Sequence, residues 1–294
     1  MPELDFKGRV VIVTGAAGDL GQAYCRYFAG RGARLVVNAR KQLGIESRAE
    51  AVAAALREAG GVAVADENDL DEAGAAALIE TAFDNWGRVD VLIANAGANR
   101  FKPLVETSVA EFRASMESNF WSAILPVMAA LPRMLAAGYG RILLTSSAVG
   151  LFGRRDCVPY CSAKSALIGV TRGLSFETAK QGITVNAISP YARTGMSRHA
   201  IPETLDGLMS PDQVARFVAW LTHETCNLTG QLFSVGGGRV RRAAIVEGPV
   251  HELGDALGME DFATLDLPAL SPFTESRNSG QSALALVPEL AGGA

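Results

Sequence analysis

Arg9-Val10-Val11-Ile12-Val13-Thr14-Gly15-Ala16-Ala17-Gly18-Asp19-Leu20-Gly21 decides how this chain of 294 residues folds. The first half is a continuous apolar run rich in β-branched residues, the pattern of a strand buried on both faces. Glycines follow at once, and residues 22–31 read as a helix. A strand, a glycine-rich turn and a helix N-terminus in succession make an anion site. The glycines let the backbone approach a pyrophosphate, and the helix end offers free N–H groups and a positive dipole. Gly15, Gly18, Asp19, Leu20 and Gly21 are therefore candidate nucleotide contacts, against the plainer alternative of a tight turn with no ligand. An aspartate here repels phosphate unless its side chain caps the helix, and for Asp19 the cap is expected.

Outward from this turn, strands and helices alternate. Residues 33–38 read as a strand, 47–59 as a helix, 62–65 as a strand leading to Asp66, 70–86 as a helix and 89–94 as a strand. Asn95-Ala96-Gly97 stands at the carboxyl end of that last strand. The rhythm predicts an α/β chain with one doubly wound parallel sheet, right-handed crossovers, and a ligand site beyond the carboxyl ends of the strands. Residues 108–137 read as a helix containing Asn119, with Pro126 and Pro132 expected to kink or break it. A strand at 140–145 ends at Ser146-Ser147. A helix at 159–180 and a strand at 183–188 follow, and 189–209, with two prolines and two glycines, reads as a mobile loop. Ser210-Pro211 opens a further helix with a Ser cap and Pro at its first position, and 231–235 is the last strand. The sheet domain is expected over 1–240. Residues 241–294 form an extension whose Phe262, Leu265, Leu267, Leu270 and Phe273 are expected to pack on a neighbouring subunit or over the substrate loop, or else to be partly disordered.

Composition narrows the function. With 49% hydrophobic and 20% charged residues, the chain can bury a large core. A net charge of −4 gives nucleic acid no basis for binding. No secretory signal and no uninterrupted apolar stretch of membrane-spanning length are visible, and four cysteines are too few for a disulfide framework, so a cytoplasmic protein is expected. Cys157 and Cys161 are spaced to share a metal, but no further ligand stands nearby, and reduced thiols are the expectation.

The chemistry centres on Tyr160-Cys161-Ser162-Ala163-Lys164. A spacing of four puts Tyr160 and Lys164 on one helix face, about one turn apart. An ammonium that close favours the phenolate, so Tyr160 is expected to titrate below a free tyrosine and to exchange a proton with an alcohol or carbonyl oxygen. Taken alone, such a pair is also common on solvated helix faces.

Thr14-Gly15 with its glycines, Asn95-Ala96-Gly97, Asn119, Ser147 and Tyr160-x-x-x-Lys164, in that order, resemble the short-chain dehydrogenase/reductase family over residues 6–240. Leu143 to Ser147, Pro202-Glu203 and Trp220 to Cys226 further resemble the hydroxyacyl-CoA dehydrogenase module of peroxisomal type 2 multifunctional enzymes. The resemblance implies a Rossmann-type fold and an NAD(P)-dependent oxidoreductase acting on a ketone or secondary alcohol. Tyr160 would be the acid/base, Lys164 would lower its pKa and hold the nicotinamide ribose, and Ser147, with Ser146 as rival, would bind the substrate oxygen. Asn119 would hold a water in a proton relay; its alternative is a buried polar residue with backbone partners. The implied cofactor set adds Arg40, Asp66, Asn95, Ala96, Gly97 and Pro190 to the turn, Tyr160 and Lys164.

Two departures from the family pattern stand out. Asp19 occupies the place usual for the second glycine, and Tyr191 follows Pro190 where glycine is common, which leaves contacts there and at Thr194 open. Where relatives carry an acid for the adenosine ribose, this chain has Ala39, followed by Arg40 and Lys41, so NADP is the expected cofactor, with NAD as the alternative. A homodimer or homotetramer with a small-molecule substrate is expected. The rival reading is a non-catalytic nucleotide-binding subunit or sensor.

Overall fold

All four side chains of Val10–Val13 (β1) are buried, because helices cover both faces of the sheet at this strand. The computed structural model describes residues 4–41, 44, 46–198, 201–251 and 274–276. After β1 come α1 (Asp19–Gly30), β2 (Arg34–Asn38), α2 (Arg48–Glu58), β3 (Val62–Asp66), α3 (Glu72–Trp86) and β4 (Val91–Ala94). The chain continues through α4 (Val109–Met116), α5 (Ser122–Ala137), β5 (Gly140–Thr145), α6 (Ala148–Phe152), α7 (Val158–Glu177) and β6 (Ile183–Tyr191). It closes with α8 (Pro211–Leu221), β7 (Leu232–Gly236) and β8 (Arg239–Ala243).

Among the described residues eight strands form one sheet, in the order β3-β2-β1-β4-β5-β6-β7-β8. Every pairing from β3 through β7 is parallel. The chain starts in the middle, steps outward to β3, then crosses back to β4. That reversal between β1 and β4 opens a crevice at the carboxyl edge, where doubly wound folds bind ligands. Helix α1 packs against α8 and α2; on the other face α3 packs against α5, and α4 and α6 against α7.

Caps follow the sequence closely. Ser47 accepts the Glu50 N–H, Asp71 that of Gly74, and Ser108 with Glu111 forms a reciprocal box. Two expectations need correcting. Pro126 and Pro132 both lie inside α5, and the irregularity falls earlier, in a π-helical turn at Glu117–Trp121. The region after 188 is also more ordered than its composition implies. Strand β6 runs on to Tyr191, paired with Gly236 of β7. Beyond it, Arg193 donates to the Ile201 carbonyl (3.0 Å) and the Asp206 carboxylate (2.7 Å). Strand β8, which the sequence pattern leaves unmarked, follows two left-handed glycines, Gly237 and Gly238.

By length and composition the 29-residue run Val109–Ala137 passes for a membrane-crossing helix, although Glu111, Arg113, Glu117 and Arg133 interrupt its apolar residues. Its Ala123, Val127, Ala130 and Met134 are buried in the protein, as in the core helix of a globular domain. The chain divides into a unit of residues 1–242 and a second of 243–294. Within the second, Glu247 and Thr274 form an antiparallel bridge, and Ser276 Oγ donates to the Glu247 carboxylate at 2.8 Å. The apolar cluster from Phe262 to Phe273 lies outside the described residues.

Candidate active site

The floor of the crevice is the joint between β1 and β4. Thr14 Oγ1 accepts the backbone N–H groups of Asn95 (3.0 Å) and Ala96 (3.1 Å), while Asn95 Nδ2 donates to the Thr14 carbonyl at 3.1 Å. Gly15 adopts φ +61° beside this joint, and a Cβ there would come within 2.8 Å of the Ala96 Cα. Only glycine meets both conditions. Gly18 is the N-cap of α1 and supplies no side-chain cap, and Asp19, Leu20 and Gly21 form its first turn. The free N–H groups of that turn suit a phosphate.

Asp19 does not cap the helix. Its carboxylate accepts the Gly195 N–H at 2.6 Å, across the crevice from a residue 176 positions away. The side chain is drawn off the helix end by a backbone donor in the segment after β6, which relieves the expected conflict with phosphate.

The catalytic candidates converge. Ser146 and Ser147 leave the end of β5 in opposite roles: Ser146 Oγ donates to the Lys164 carbonyl at 2.7 Å, whereas the Ser147 hydroxyl favours ionisation of the Tyr160 phenol. Ser147 is thus the serine in the site, and Ser146 fixes α7 to the strand. Lys164 is fully embedded, with Nζ donating to the Thr145 carbonyl at 2.8 Å and lying 5.8 Å from the Tyr160 ring centre. Burial lowers the Lys164 ammonium to about 8.

The expected depression of Tyr160 is not what these groups produce. Burial raises the Tyr160 phenol above its ordinary value, and the Ser147 hydroxyl only partly opposes this. Lys164 stands too far from the phenol, and points too firmly at Thr145, to reverse the effect of desolvation.

Gly97 lies against both Lys164 and Asn119: a Cβ there would meet Asn119 Oδ1 at 2.8 Å and Lys164 Nζ at 3.4 Å. Asn119, in the π-helical turn, accepts the Ala98 N–H (3.0 Å) and donates to the carbonyls of Ala98 (2.8 Å) and Ser115 (3.0 Å). Its side chain ties that turn to the loop after β4.

Other cofactor candidates separate. The Asp66 carboxylate is buried and accepts from Asn38 Nδ2 (2.7 Å), Asn68 Nδ2 (2.8 Å) and Thr81 Oγ1 (3.0 Å), so it holds the ends of β2 and β3 together. Pro190 sits in β6 opposite Val235, and Thr194 is occupied with Ser197. Arg40 is exposed beyond β2, while Lys41 leans toward Glu67 at 3.7 Å. Sequence reading missed Arg48, whose guanidinium donates to the Ala17 carbonyl at 3.1 Å in the glycine turn. An available signal was its place: a cation in the first turn of a helix opposes the dipole, which suggests a use for its charge. Arg48, Ala17 and Gln22 help to line a groove of about 1090 Å³ between α1 and α2. The convergent chemistry nevertheless lies at Tyr160.

Comparison with known proteins agrees with this geometry. A family model described as short chain dehydrogenase matches residues 9–204. The chain is 40% identical over 243 residues to the peroxisomal multifunctional enzyme type 2 of Mus musculus, covering 80% of this chain and 32% of that protein. It therefore spans about a third of that relative's length. A short-chain type dehydrogenase/reductase of Mycobacterium tuberculosis is 37% identical, covering 81% of this chain and 85% of the relative. Among solved structures, a short chain dehydrogenase from Mycobacterium avium superposes with a TM-score of 0.80 at 35% identity, covering 90% of this chain and 95% of that one. A glycine turn, a Ser-Tyr-Lys constellation, a matching family model and relatives of similar length lead to one conclusion: the chain belongs to the short-chain dehydrogenase family, oxidoreductases that use a nicotinamide cofactor on alcohol and carbonyl groups.

Proposed function

We propose that this chain interconverts a ketone and a secondary alcohol, with Tyr160 as the group that gives or takes the proton. The observation that carries the reading is the convergence of Ser147, a buried Tyr160 phenol and a buried Lys164 anchored on Thr145, where the end of β5 meets the start of α7. A bound nicotinamide nucleotide supplies or accepts the hydride. Ser147 orients the substrate oxygen toward the phenol, Tyr160 delivers its proton to that oxygen, and Lys164, anchored on Thr145, holds a switchable positive charge behind it. Because the phenol keeps its proton at neutral pH, the resting site is set for reduction. Alcohol oxidation needs the phenolate and should accelerate as pH rises. A non-catalytic nucleotide binder has no use for this arrangement.

Loss of an acid/base group typically costs ~100-fold or more, so Tyr160→Phe should lower kcat by at least that factor on a good ketone while nucleotide affinity, read by fluorescence, stays unchanged. Near-normal turnover by the variant would overturn the assignment. The same proposal includes NADP as the preferred cofactor, a homo-oligomeric state and a cytoplasmic location. These rest on Arg40 and Arg48 beside the turn, on exposed apolar residues of α5 and on four free cysteines respectively.

A further inference from the structure

Two thiols flank the catalytic tyrosine on its own helical turn. Cys157 is the N-cap of α7 and Cys161 lies one turn on, and their Sγ atoms are 3.3 Å apart. Both sulfurs also face the Arg154 carbonyl, at 3.7 Å and 3.9 Å. Cys157 is buried and Cys161 half-exposed. Cys25 and Cys226 are buried as well, but no thiol partner accompanies either among the described residues. No third ligand completes a metal set around the pair among the described residues.

The backbone allows a bond here. Four residues of helix separate the two Cα atoms by about 6 Å, inside the range a disulfide spans. Cys157 departs from helical geometry, with φ −150° and ψ 35°, so the first turn has room to adjust. We propose that Cys157 and Cys161 are a reversible oxidation site that switches the enzyme off by displacing Tyr160.

The half-exposed Cys161 meets the oxidant, a hydroperoxide. Its sulfur attacks the peroxide oxygen, breaking the O–O bond and giving a sulfenic acid plus the corresponding alcohol, or water from hydrogen peroxide itself. The Cys157 sulfur then attacks Cys161, forming the S–S bond and releasing the sulfenic oxygen as water. Each thiol loses its proton, and the peroxide takes up the two electrons. Burial, which raises the Cys157 thiol to about 12, keeps it protonated until the sulfenic acid forms beside it.

Closure brings the sulfurs from 3.3 Å to roughly 2 Å. Tyr160 lies between them in sequence, on the same first turn of α7. A shift of about 1 Å in a catalytic group can cost on the order of 100-fold in rate. The activity effect rests on Tyr160 being the acid/base; formation of the bond does not.

The test treats the full chain with hydrogen peroxide, then follows intact mass, peptide mapping and ketone reduction. Expected are a loss of about 2 Da mapped to Cys157–Cys161, a fall in kcat of roughly 10- to 100-fold, and recovery of both with dithiothreitol. Cys161→Ser should keep basal activity, resist peroxide inactivation and show no such bond; Cys157→Ala should likewise form none. Gains of about 16 Da per added oxygen without the 2 Da loss, or a mapped disulfide with unchanged kcat, would each overturn the proposal. Failure of Tyr160→Phe to slow turnover would instead count against the acid/base assignment.

Discussion

Lys164 shows how one residue can be costly for the fold and useful to the site. It is 3% exposed, and its ammonium has one partner, the Thr145 carbonyl. Burial lowers its pKa from 10.5 to about 8. The folded protein therefore binds this proton less tightly than the unfolded chain does. Below pH 8 the buried charge costs stability, by about 3 kcal/mol at pH 7 if the whole shift is expressed. The cost is relieved as pH rises from about 8 toward 10.5. Lys164→Met keeps the bulk and removes the charge, at the loss of one hydrogen bond worth about 1 kcal/mol. The variant should be inactive, yet more stable than wild type at pH 7 by about 1–2 kcal/mol, with the advantage gone by pH 10. Urea unfolding of both proteins at the two pH values checks this; an advantage that does not shrink with pH would show that desolvation of Lys164 is not its source.

Among the elements, the end of β2, the glycine turn and the start of α2 meet around one small volume. The Ala16 N–H donates to the Asn38 carbonyl at 2.9 Å, which places the turn beside Ala39 and Arg40. From the other side, Arg48 reaches the Ala17 carbonyl. Arg40 follows the end of β2, where an acid would accept ribose hydroxyls, and Arg48 reaches the turn itself; guanidinium groups grip a phosphate by paired hydrogen bonds. Charge-assisted hydrogen bonds contribute about 1.5–3 kcal/mol each, so NADPH should exceed NADH in kcat/KM by roughly 10- to 100-fold. Arg40→Ala and Arg48→Ala should each erase much of that gap while leaving NADH use nearly unchanged. Equal efficiency with both cofactors in wild type would refute the reading. Arg40 was legible in the sequence because it adjoins the strand end, whereas Arg48 offered only its place in the first turn of a helix, because its partner is 31 positions away. The same limit explains Asp19. Local chemistry favours a cap, and a backbone donor 176 residues distant prevails. Ser147 was readable by spacing, whereas the separate task of Ser146 depends on which way each hydroxyl turns at the strand end. The strands were legible because their apolar runs are continuous, and the π-helical turn was not: its Asn119 bonds a loop 21 residues away, a contact no local pattern announces.

At the scale of the whole molecule, the first unit carries a row of exposed large apolar side chains among the described residues. Trp121, Met128 and Leu135 stand seven residues apart, so they line one side of the π-helical turn and α5, and they are 40%, 59% and 37% exposed. Their neighbours Ala123, Val127, Ala130 and Met134 are buried, which shows that this helix presents apolar surface in two directions. One direction serves the core. A row of large apolar side chains with a heptad spacing is the seam along which two helices pair, and a second copy of the same helix can supply the matching row about a two-fold axis. A stable dimer buries about 800 Å² per partner, more than three side chains provide, so the contact must extend onto adjoining surface. Met128, the most exposed of the three, lies at the middle of the row. Met128→Glu places a charge there that burial would heavily penalise, and it faces its own copy across a two-fold axis. Light scattering after size exclusion at micromolar concentration should find wild type as a dimer or a tetramer, and Met128→Glu as a smaller species with a far-ultraviolet spectrum like wild type. A monomeric wild type, or a variant of unchanged size, would mean that this face is not where subunits meet.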